Sequence, residues 1–435
     1  MQHLSKTTLG IAGVQWLFFI FANTVVIPLS VGAAFHLPPE VIAATLRSSF
    51  IFTGAASILQ ALIGHRYPLM EGHSGLWWGL ILSLCASAHS VGIGYAELGG
   101  SLAAGMILAG LMTIILGMLG FTKVLKKIFN QAVMSVYLFL LSCQLIIIFF
   151  KGMLGLSEGT TIDMKPALLS ILLVILVVFL NVKGKGKLSN FSILIGILAG
   201  WLAYSLLFPV HQQVKSEDVA LFTILPWGSL MLDMGIMITA FIAGLINMTN
   251  SIVSMNTAQK LFNRETSEKE YKWSFVLTGF YSIAAGLLGL VPFGPYTSSI
   301  GFLESTRIFR RAPFIIGGAI LIVLGLVPAL GAFFSLLPVS VGNAVLFVAY
   351  LQLFGTALKN IQTIHINSKT IYRIAISVLV GLSIMNIPAE TFAPFPMLVR
   401  PLISNGLLVG VLISILFELF GDWQKYESRE LSKSA

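Results

Sequence analysis

Apolar runs of about twenty residues recur from one end of the chain to the other, each long enough to cross a hydrocarbon layer about 30 Å thick. The loops between them hold most of the charged residues. The pattern predicts fourteen membrane-spanning segments, seven in each half of the chain. The segments are 9–31, 43–64, 74–92, 99–121, 130–152, 166–183, 189–209, 229–256, 273–291, 297–307, 312–336, 338–358, 371–387 and 400–420. Because seven is odd, the second half would be inverted in the membrane relative to the first.

The composition agrees with this pattern. The 435 residues are 57% hydrophobic and 10% charged, and the mean hydropathy is +0.92. A water-soluble chain of this length would carry about 25% charged residues. These values exclude a soluble globular protein and predict an all-α polytopic membrane protein. Neither of the two cysteines has the spacing of a metal-binding motif, so we expect no metal and no cofactor.

The net charge of +9 arises from short clusters of Lys and Arg between the apolar runs. With the N-terminus inside, one of the 26 basic residues, Arg47, lies within a span, and four lie in outside loops. These four are Lys151, Lys165, Lys215 and Arg400. Basic residues in short loops stay on the cytoplasmic side, so we expect an inner-membrane protein with both termini in the cytoplasm. The clusters would contact anionic membrane lipid and require no nucleic acid as a partner.

The longest charged loop, 257–272, lies just after the middle of the chain and looks like the joint between two halves. We therefore divide the sequence into four parts. Residues 1–256 would form the first seven-segment repeat and segment 8, 257–272 a cytoplasmic loop, 273–420 the rest of the second repeat, and 421–435 a cytoplasmic tail.

Two hydrophobic segments are interrupted by Pro and Gly at corresponding places in the two halves. Residues 64–75 lead into the third segment, and residues 289–301 lead into the tenth. Unwound backbone is tolerated inside a membrane only where it is buried in protein or lines a cavity. Broken segments at matching positions therefore indicate the binding site of a transporter.

The tenth segment also carries a specific motif. It reads Ser298-Ser299-Ile300-Gly301 and, after four further residues, Thr306-Arg307. Gly301, Thr306 and Arg307 match the tenth-segment signature of the nucleobase-ascorbate transporters, also called nucleobase:cation symporter-2, which this chain resembles over nearly its whole length. Weaker likenesses follow in the same order along the chain, at 15–28, 68–74, 128–134 and 336–342.

The resemblance implies a fold of fourteen segments in two inverted repeats, which form a core domain and a gate domain interleaved in sequence. It also implies two short antiparallel strands before segments 3 and 10 that hold the base, and it allows a homodimer. In proton-coupled members of the family, glutamates in segments 8 and 10 face the base and a histidine in segment 1 assists coupling. This chain departs from that pattern, because the corresponding positions are Ile246-Asn247, Ser298 and Trp16.

Glu71, Gly72 and His73 lie in the first broken segment. Alternation along a strand would put Glu71 and His73 on one face. A carboxylate and an imidazole there could accept from ring N–H groups of a base and exchange a proton. The alternative is an interfacial loop in which Glu71 pairs with Arg66 or His65.

Segment 8 carries polar residues at helical spacing, among them Asn247, Asn250, Ser251 and Ser254. An amide offers both a donor and an acceptor, which suits the mixed edge of a nucleobase. We therefore predict substrate contact for Asn247, Asn250 and Ser251. The alternative is hydrogen bonding between helices, which polar residues in membrane segments commonly provide.

Tyr296, Thr297, Ser298 and Ser299 follow Pro295 at the start of segment 10, where helix N–H groups are free to bind an oxygen or an anionic base. They complete the predicted substrate site, although an aromatic residue such as Tyr296 is also ordinary packing.

Three further charged residues lie within or at the ends of apolar runs. Glu304 is a candidate for proton coupling, but its spacing of three residues from Arg307 favours a structural pair on one helix face. Arg47 could be a counter-ion for Glu71 or could extend toward an interface. Asp233 is expected to cap the start of segment 8.

The sequence thus predicts a secondary transporter that imports nucleobases, either purine or xanthine-like bases or uracil, by alternating access with proton symport. Sodium is an alternative coupling ion. The rival function is an anion transporter or exchanger of the sulfate or bicarbonate type on the same fold. An enzyme is not expected, because the sequence has no nucleotide-binding loop, no HExxH motif and no nucleophile elbow.

Overall fold

The computed structural model describes residues 5–156, 161–184, 187–208, 219–362, 364, 367–396, 398–421 and 423. The predicted tail, 421–435, lies outside the described residues except for Gly421 and Trp423, and so does Lys215. The helices of the first half are α1 (Lys6–Thr24), α2 (Val26–Ala34), α3 (Pro39–Leu62), α4 (Gly75–Val91), α5 (Tyr95–Met118), α6 (Thr122–Ile128), α7 (Gln131–Met153), α8 (Met164–Lys183), α9 (Lys187–Asn190) and α10 (Ser192–Leu207).

The helices of the second half are α11 (Met234–Phe262), α12 (Glu268–Leu288), α13 (Ser298–Thr306), α14 (Arg311–Leu326), α15 (Pro328–Ser335), α16 (Val339–Gln362), α17 (Ile371–Met385), α18 (Arg400–Ile403) and α19 (Gly406–Phe420). A 3₁₀ turn covers Ala389–Phe392. Strand β1 (Glu71–His73) precedes α4, and strand β2 (Phe293–Pro295) precedes α13.

The described part of the chain is mostly helical and contains seven helical stretches that are long and apolar enough to cross a membrane. An eighth is added if α14 and α15 form one bent span, and four shorter apolar helices (α4, α10, α17 and α19) accompany them. The prediction of an all-α polytopic membrane protein is confirmed at this level. The count of fourteen segments and the inverted repeat stay predictions.

Two predicted segments differ from the observed helices. The run 312–336 is broken between α14 and α15, whose axes make an angle of 89°. Val327 at the break is extended because it precedes Pro328, which cannot continue the hydrogen bonding of α14. The tenth segment contains α13, a helix of nine residues, whose length of about 14 Å is too short to cross the hydrocarbon layer.

The two predicted strands are present and pair with each other. β1 and β2 run antiparallel, with Glu71 opposite Pro295, Gly72 opposite Gly294, and His73 opposite Phe293. The ladder continues at both ends, since Tyr296 N donates to the carbonyl of Met70 at 2.8 Å and Ser74 N donates to that of Pro292 at 2.8 Å. The pair links the two halves of the chain inside the helical bundle.

Arg47 of α3 holds the bend between α14 and α15. Its Nε donates to the carbonyl of Gly325 at 3.0 Å, and Nη2 donates to that of Leu326 at 3.0 Å. Nη1 donates to the carbonyls of Val219 and Ala220 at 2.7 and 3.0 Å. The buried guanidinium therefore binds backbone oxygens, and the expectation that it serves as a counter-ion for Glu71 is wrong.

Helices α5 and α12 cross at a pair of glycines. A Cβ atom at Gly279 would lie 2.6 Å from the carbonyl oxygen of Gly110, and a Cβ atom at Gly110 would lie 2.6 Å from that of Gly279. These distances are shorter than van der Waals contact, so only glycine allows the two backbones to approach this closely.

We expect Gly279→Ala to lower the melting temperature of the detergent-purified protein, because forcing a methyl group into this contact costs about 1–3 kcal/mol. The matched control is Gly355→Ala in α16, where a Cβ atom meets nothing within 4 Å. The control should melt at or above the wild-type temperature, since alanine is the better helix former. Equal melting of the two variants would contradict the tight crossing.

Candidate functional site

The strand pair has two different faces. Side chains alternate along a strand, and residues opposite each other on paired strands point to the same side. Gly72 and Gly294 therefore share one face, which we call the glycine face. Glu71 and His73 share the other with Phe293, and we call it the acid face. The strand alternation expected for Glu71 and His73 is present.

Side chains of α11 and the ring of Tyr296 lie over the glycine face. A Cβ atom at Gly294 would lie 3.2 Å from Asn247 Oδ1 and 3.5 Å from Asn250 Nδ2. A Cβ atom at Gly72 would lie 2.7 Å from the terminal methyl group of Met70 and 3.2 Å from the Tyr296 ring. The glycine backbone of this face is therefore in reach of two amides, an aromatic ring and the Met70 methyl group.

The polar stripe of α11 is bonded to the strands. Asn247 Oδ1 accepts from the Ser74 hydroxyl at 2.7 Å, and Asn247 Nδ2 donates to the carbonyl of Phe293 at 2.9 Å. Asn250 Nδ2 donates to the carbonyl of Pro295 at 3.2 Å. The stripe thus joins α11 to β2 and the start of α4, and its predicted contact with substrate stays a prediction.

Ser251 and Thr297, two more members of the predicted site, have different surroundings. The hydroxyl of Thr297 lies 2.8 Å from that of Ser254 on α11. The Ser251 hydroxyl is buried and has no hydrogen-bond partner among the described residues. Ser251 is therefore an available polar group next to the residues that clamp β2.

The residues at the start of α13 are split between the interior and the surface. Tyr296 donates its hydroxyl to the carbonyl of His73 at 2.7 Å, and Ser299 Oγ accepts from the backbone N–H of Met70 at 3.0 Å. Ser299 is buried, whereas Ser298 is exposed. The structure brings Tyr296 and Ser299 to the strand pair and turns Ser298 away from it.

On the acid face, Glu71 is fully buried and accepts a hydrogen bond from the Thr278 hydroxyl at 2.7 Å. His73 Nδ1 lies 2.8 Å from the carbonyl of Val291, which can only accept, so Nδ1 carries the proton. Glu71 forms no ion pair with a described residue, and Arg66 instead lies 4.0 Å from Glu270. The alternative of an interfacial loop with Glu71 paired to Arg66 is not the observed arrangement.

Two expectations about charged residues have opposite outcomes. Asp233 Oδ1 accepts from Ile236 N at 2.8 Å, so the predicted cap of α11 is confirmed. The expectation that Glu304 and Arg307 share one helix face is wrong. Helix α13 ends at Thr306, and Arg307 adopts a left-handed φ of 55° that takes it off the helix. Glu304 is exposed and lies away from the strand pair.

The signature glycine and the first-helix position have contrasting surroundings. Gly301 lies on the exposed side of α13, and a Cβ atom there would meet nothing within 4 Å. Trp16 is buried, and its ring packs against Phe302 and Phe314 at centroid distances of 4.6 and 4.8 Å. An aromatic side chain thus fills the position where proton-coupled relatives are expected to carry a histidine.

Sequence reasoning missed four side chains of the hydrogen-bond network around the strand pair: Ser57, Gln60, Ser74 and Thr278. Ser57 Oγ accepts from Glu71 N at 3.0 Å and donates to its carbonyl at 3.2 Å. Gln60 Nε2 donates to Thr278 Oγ1 at 3.1 Å. The sequence signal for these residues is polarity within an apolar helix. Ser57 and Gln60 are three residues apart and therefore lie on the same face of α3.

Comparison with known proteins identifies the family of the chain. The Xan_ur_permease model, described as a permease family, matches residues 7–390. The chain belongs to this family. The resemblance to nucleobase-ascorbate transporters seen in the tenth-segment motif is thereby confirmed, and the chain is a multi-pass membrane permease and not an enzyme.

The permease is similar over its whole length to named bacterial proteins. It is 27% identical over 434 residues to "Putative purine permease YwdJ" of Bacillus subtilis, with 98% of each chain covered. It is 27% identical to "Uric acid permease PucJ" of the same organism, covering 93% of this chain and 91% of that one. It is 24% identical to a "Xanthine permease" of B. subtilis, with 95% of each covered. These identities make it a divergent member of the family.

Solved structures share its fold. The transmembrane domain of the cyanobacterial bicarbonate transporter BicA aligns with a TM-score of 0.63 at 15% identity, covering 93% of this chain and 97% of that one. Murine Slc26a9, an anion transporter, aligns with a TM-score of 0.63 at 13% identity, covering 97% of this chain and 69% of that one. At such identities the likeness concerns the fold alone.

We expect Asn247→Ala to destabilise the permease, because it leaves the Ser74 hydroxyl and the Phe293 carbonyl buried without their partner. Each such group costs about 1–3 kcal/mol. The control is Asn386→Ala, which removes an exposed amide that bonds only to the carbonyl of Leu382 among the described contacts. Thermal melting should show a clear loss for the first variant and little change for the second. Similar melting temperatures would show that the Asn247 clamp is not important for stability.

Proposed function

We propose that the permease imports a purine-type nucleobase, of the xanthine or uric acid class, and binds it at the glycine face of the strand pair. The choice of purine over uracil is supported by the names of the relatives, which are purine, uric acid and xanthine permeases. The observation that carries the site is the convergence of two amides and one aromatic ring over Gly72 and Gly294.

The chemistry of this face suits a flat heterocycle. A strand face formed by glycine lets a planar ring approach the backbone closely once the Met70 methyl group over Gly72 moves aside. The amides of Asn247 and Asn250 offer donors and acceptors for the mixed edge of the base, and the Tyr296 ring can stack on it. The start of α13 contributes less, because the N–H groups of Ser299 and Ile300 donate to the carbonyls of Tyr296 and Thr297.

Transport would proceed by alternating access, in which the unit that holds β1, β2 and α11 moves against the remaining helices. We propose proton symport, with Glu71 and His73 as the candidate coupling groups and sodium as the alternative ion. Glu304 is a weaker candidate because it is exposed and lies away from the strand pair. Cytoplasmic termini, an inner-membrane location and a homodimer belong to the same proposal.

Substrate-induced thermal stabilisation of the purified permease tests the substrate class. Xanthine, urate, hypoxanthine, guanine, adenine, uracil, ascorbate, sulfate and bicarbonate would be compared at acidic and near-neutral pH. A ligand present at one hundred times its Kd adds about 2.7 kcal/mol to stability, so a purine should raise the melting temperature clearly. A shift with sulfate or bicarbonate alone would contradict the nucleobase assignment and favour the rival anion transporter.

The position of the site is tested by Gly294→Ala, which places a methyl group 3.2 Å from Asn247 Oδ1 on the glycine face. We expect at least a tenfold weaker Kd for the purine, measured by the same thermal shift across ligand concentrations. Gly355→Ala should bind as the wild type does. Unchanged affinity in a folded Gly294→Ala variant would place the base elsewhere.

A further inference from the structure

Polar groups from three elements meet behind the strand pair, on the acid face. Glu71 comes from β1, Ser57 and Gln60 come from α3, and Thr278 comes from α12. All four residues are buried, with at most 1% of their surface exposed. The cluster lies on the side opposite to the proposed base site, so it has no direct part in holding the base.

The hydrogen bonds of the cluster have a fixed direction. Gln60 Nε2 donates to the carbonyl of Ser274 and to Thr278 Oγ1, both at 3.1 Å. Because Thr278 Oγ1 already accepts this bond, its one hydrogen is free to donate to Glu71 Oε1 at 2.7 Å. Turning the Gln60 amide over would place its oxygen against the Ser274 carbonyl oxygen, so the observed orientation is the favourable one.

This arrangement leaves two acceptors without a hydrogen. Glu71 Oε2 and Gln60 Oε1 are both buried and have no hydrogen-bond partner among the described residues. They do not face a common partner, because Gln60 Oε1 lies beside Gly64 at the end of α3. An unsatisfied buried carboxylate oxygen is costly, and a proton on Glu71 Oε2 would remove the charge that makes it so.

Charged groups do not offer Glu71 a compensating partner. On its own strand, His73 bonds to the Val291 carbonyl, and Arg47 of α3 bonds to four other carbonyls. Tyr281 of α12 also faces the acid face, with its ring against Phe293.

Strand β2 has no charged residue, and α1 has only Lys6 at its start. The charged residues of α12 all lie in its first two turns: Glu268, Lys269, Glu270 and Lys272.

We propose that Glu71 carries a proton on Oε2, the oxygen without a hydrogen-bond partner among the described residues, and that this buried carboxylic acid is the proton-binding site of the permease. Burying a carboxylate with one neutral side-chain donor and no cation would cost far more than burying the neutral acid. The use of this proton in transport rests on the proposed permease function, whereas its presence on Glu71 does not.

The proton and the base would then communicate through the strand. Glu71 precedes Gly72, whose backbone forms the glycine face, and Ser57 holds both the N–H and the carbonyl of Glu71. Release of the proton to water breaks the Oε2–H bond and leaves a carboxylate. That carboxylate has the Thr278 hydroxyl as its one side-chain donor among the described hydrogen bonds, so its charge favours a shift of β1 relative to α3 and α12. The coupling is therefore a rearrangement behind the strand and not contact of the carboxyl with the base.

Infrared spectroscopy of the purified permease without substrate tests the proton directly. A protonated carboxyl has a carbonyl stretch that is separate from the carboxylate bands and shifts in heavy water. We expect this band near neutral pH in the wild type and its loss in Glu71→Gln. The control Asp163→Asn removes an exposed helix-capping carboxylate and should leave the band unchanged. A wild type without the band, or a band that persists in Glu71→Gln, would overturn the proposal.

Thr278→Val gives a second measurement that does not depend on removing the acid. It keeps the shape of the side chain and deletes the hydroxyl that donates to Glu71 Oε1. We expect the carbonyl stretch to move to higher frequency, because that oxygen loses its hydrogen bond. An unmoved band would assign the signal to another group and would contradict the proposed geometry, even if Glu71→Gln failed to fold.

The role in coupling is tested with proteoliposomes. Glu71→Gln mimics the neutral acid, so it should still bind the purine in the thermal-shift assay but should lose purine-driven proton uptake. Proton uptake equal to that of the wild type would overturn the coupling role while the infrared result still decides the location of the proton. If no base stabilises the wild type, the proposed substrate is wrong, and the infrared outcome stands independently of it.

Discussion

Backbone N–H and C=O groups that are not in a helix need partners from the protein itself when they lie in the interior of a membrane protein. In this permease that requirement falls on two stretches of three residues, one in each half of the chain. They satisfy part of it by pairing with each other. The outer edges of the pair are completed by side chains, with Ser57 on β1 and Asn247 and Asn250 on β2. The polar residues of otherwise apolar helices are placed to meet this need.

The same requirement gives the strand pair two chemically different sides. The glycine face exposes backbone toward amides and an aromatic ring, which is suitable for a planar ligand. The acid face holds a carboxyl, an imidazole and a hydroxyl away from that side. In the proposed function, a base and a proton would therefore use the same three residues of β1 without competing for the same space. Their effects would be linked because a strand cannot be displaced on one face alone.

Much of this fold follows from local sequence. Clusters of Pro and Gly predicted the two broken segments, and an aspartate before an apolar helix predicted the cap at Asp233. Local pattern could not show which side chains meet across the bundle. Thr278 contacts Glu71 from 207 residues away, and the sequence offers only the polarity of one threonine in an apolar helix. The exposed position of Ser298 also depends on where α13 packs. Neither the end of α13 before Arg307 nor the bend at Val327 was recognised, because each depends on one residue's backbone conformation.

The partners of Arg47 bear on how the chain is made. Its guanidinium lies in the third helix from the N-terminus, and its acceptors follow 172 to 279 residues later. During synthesis α3 therefore enters the membrane with a positive charge that has none of its final partners. That charge needs water, lipid headgroups or an insertion factor until α14 arrives. The N-terminal half therefore cannot form all the hydrogen bonds of its buried side chains by itself. Folding of this permease is complete only when the last third of the polypeptide has been inserted.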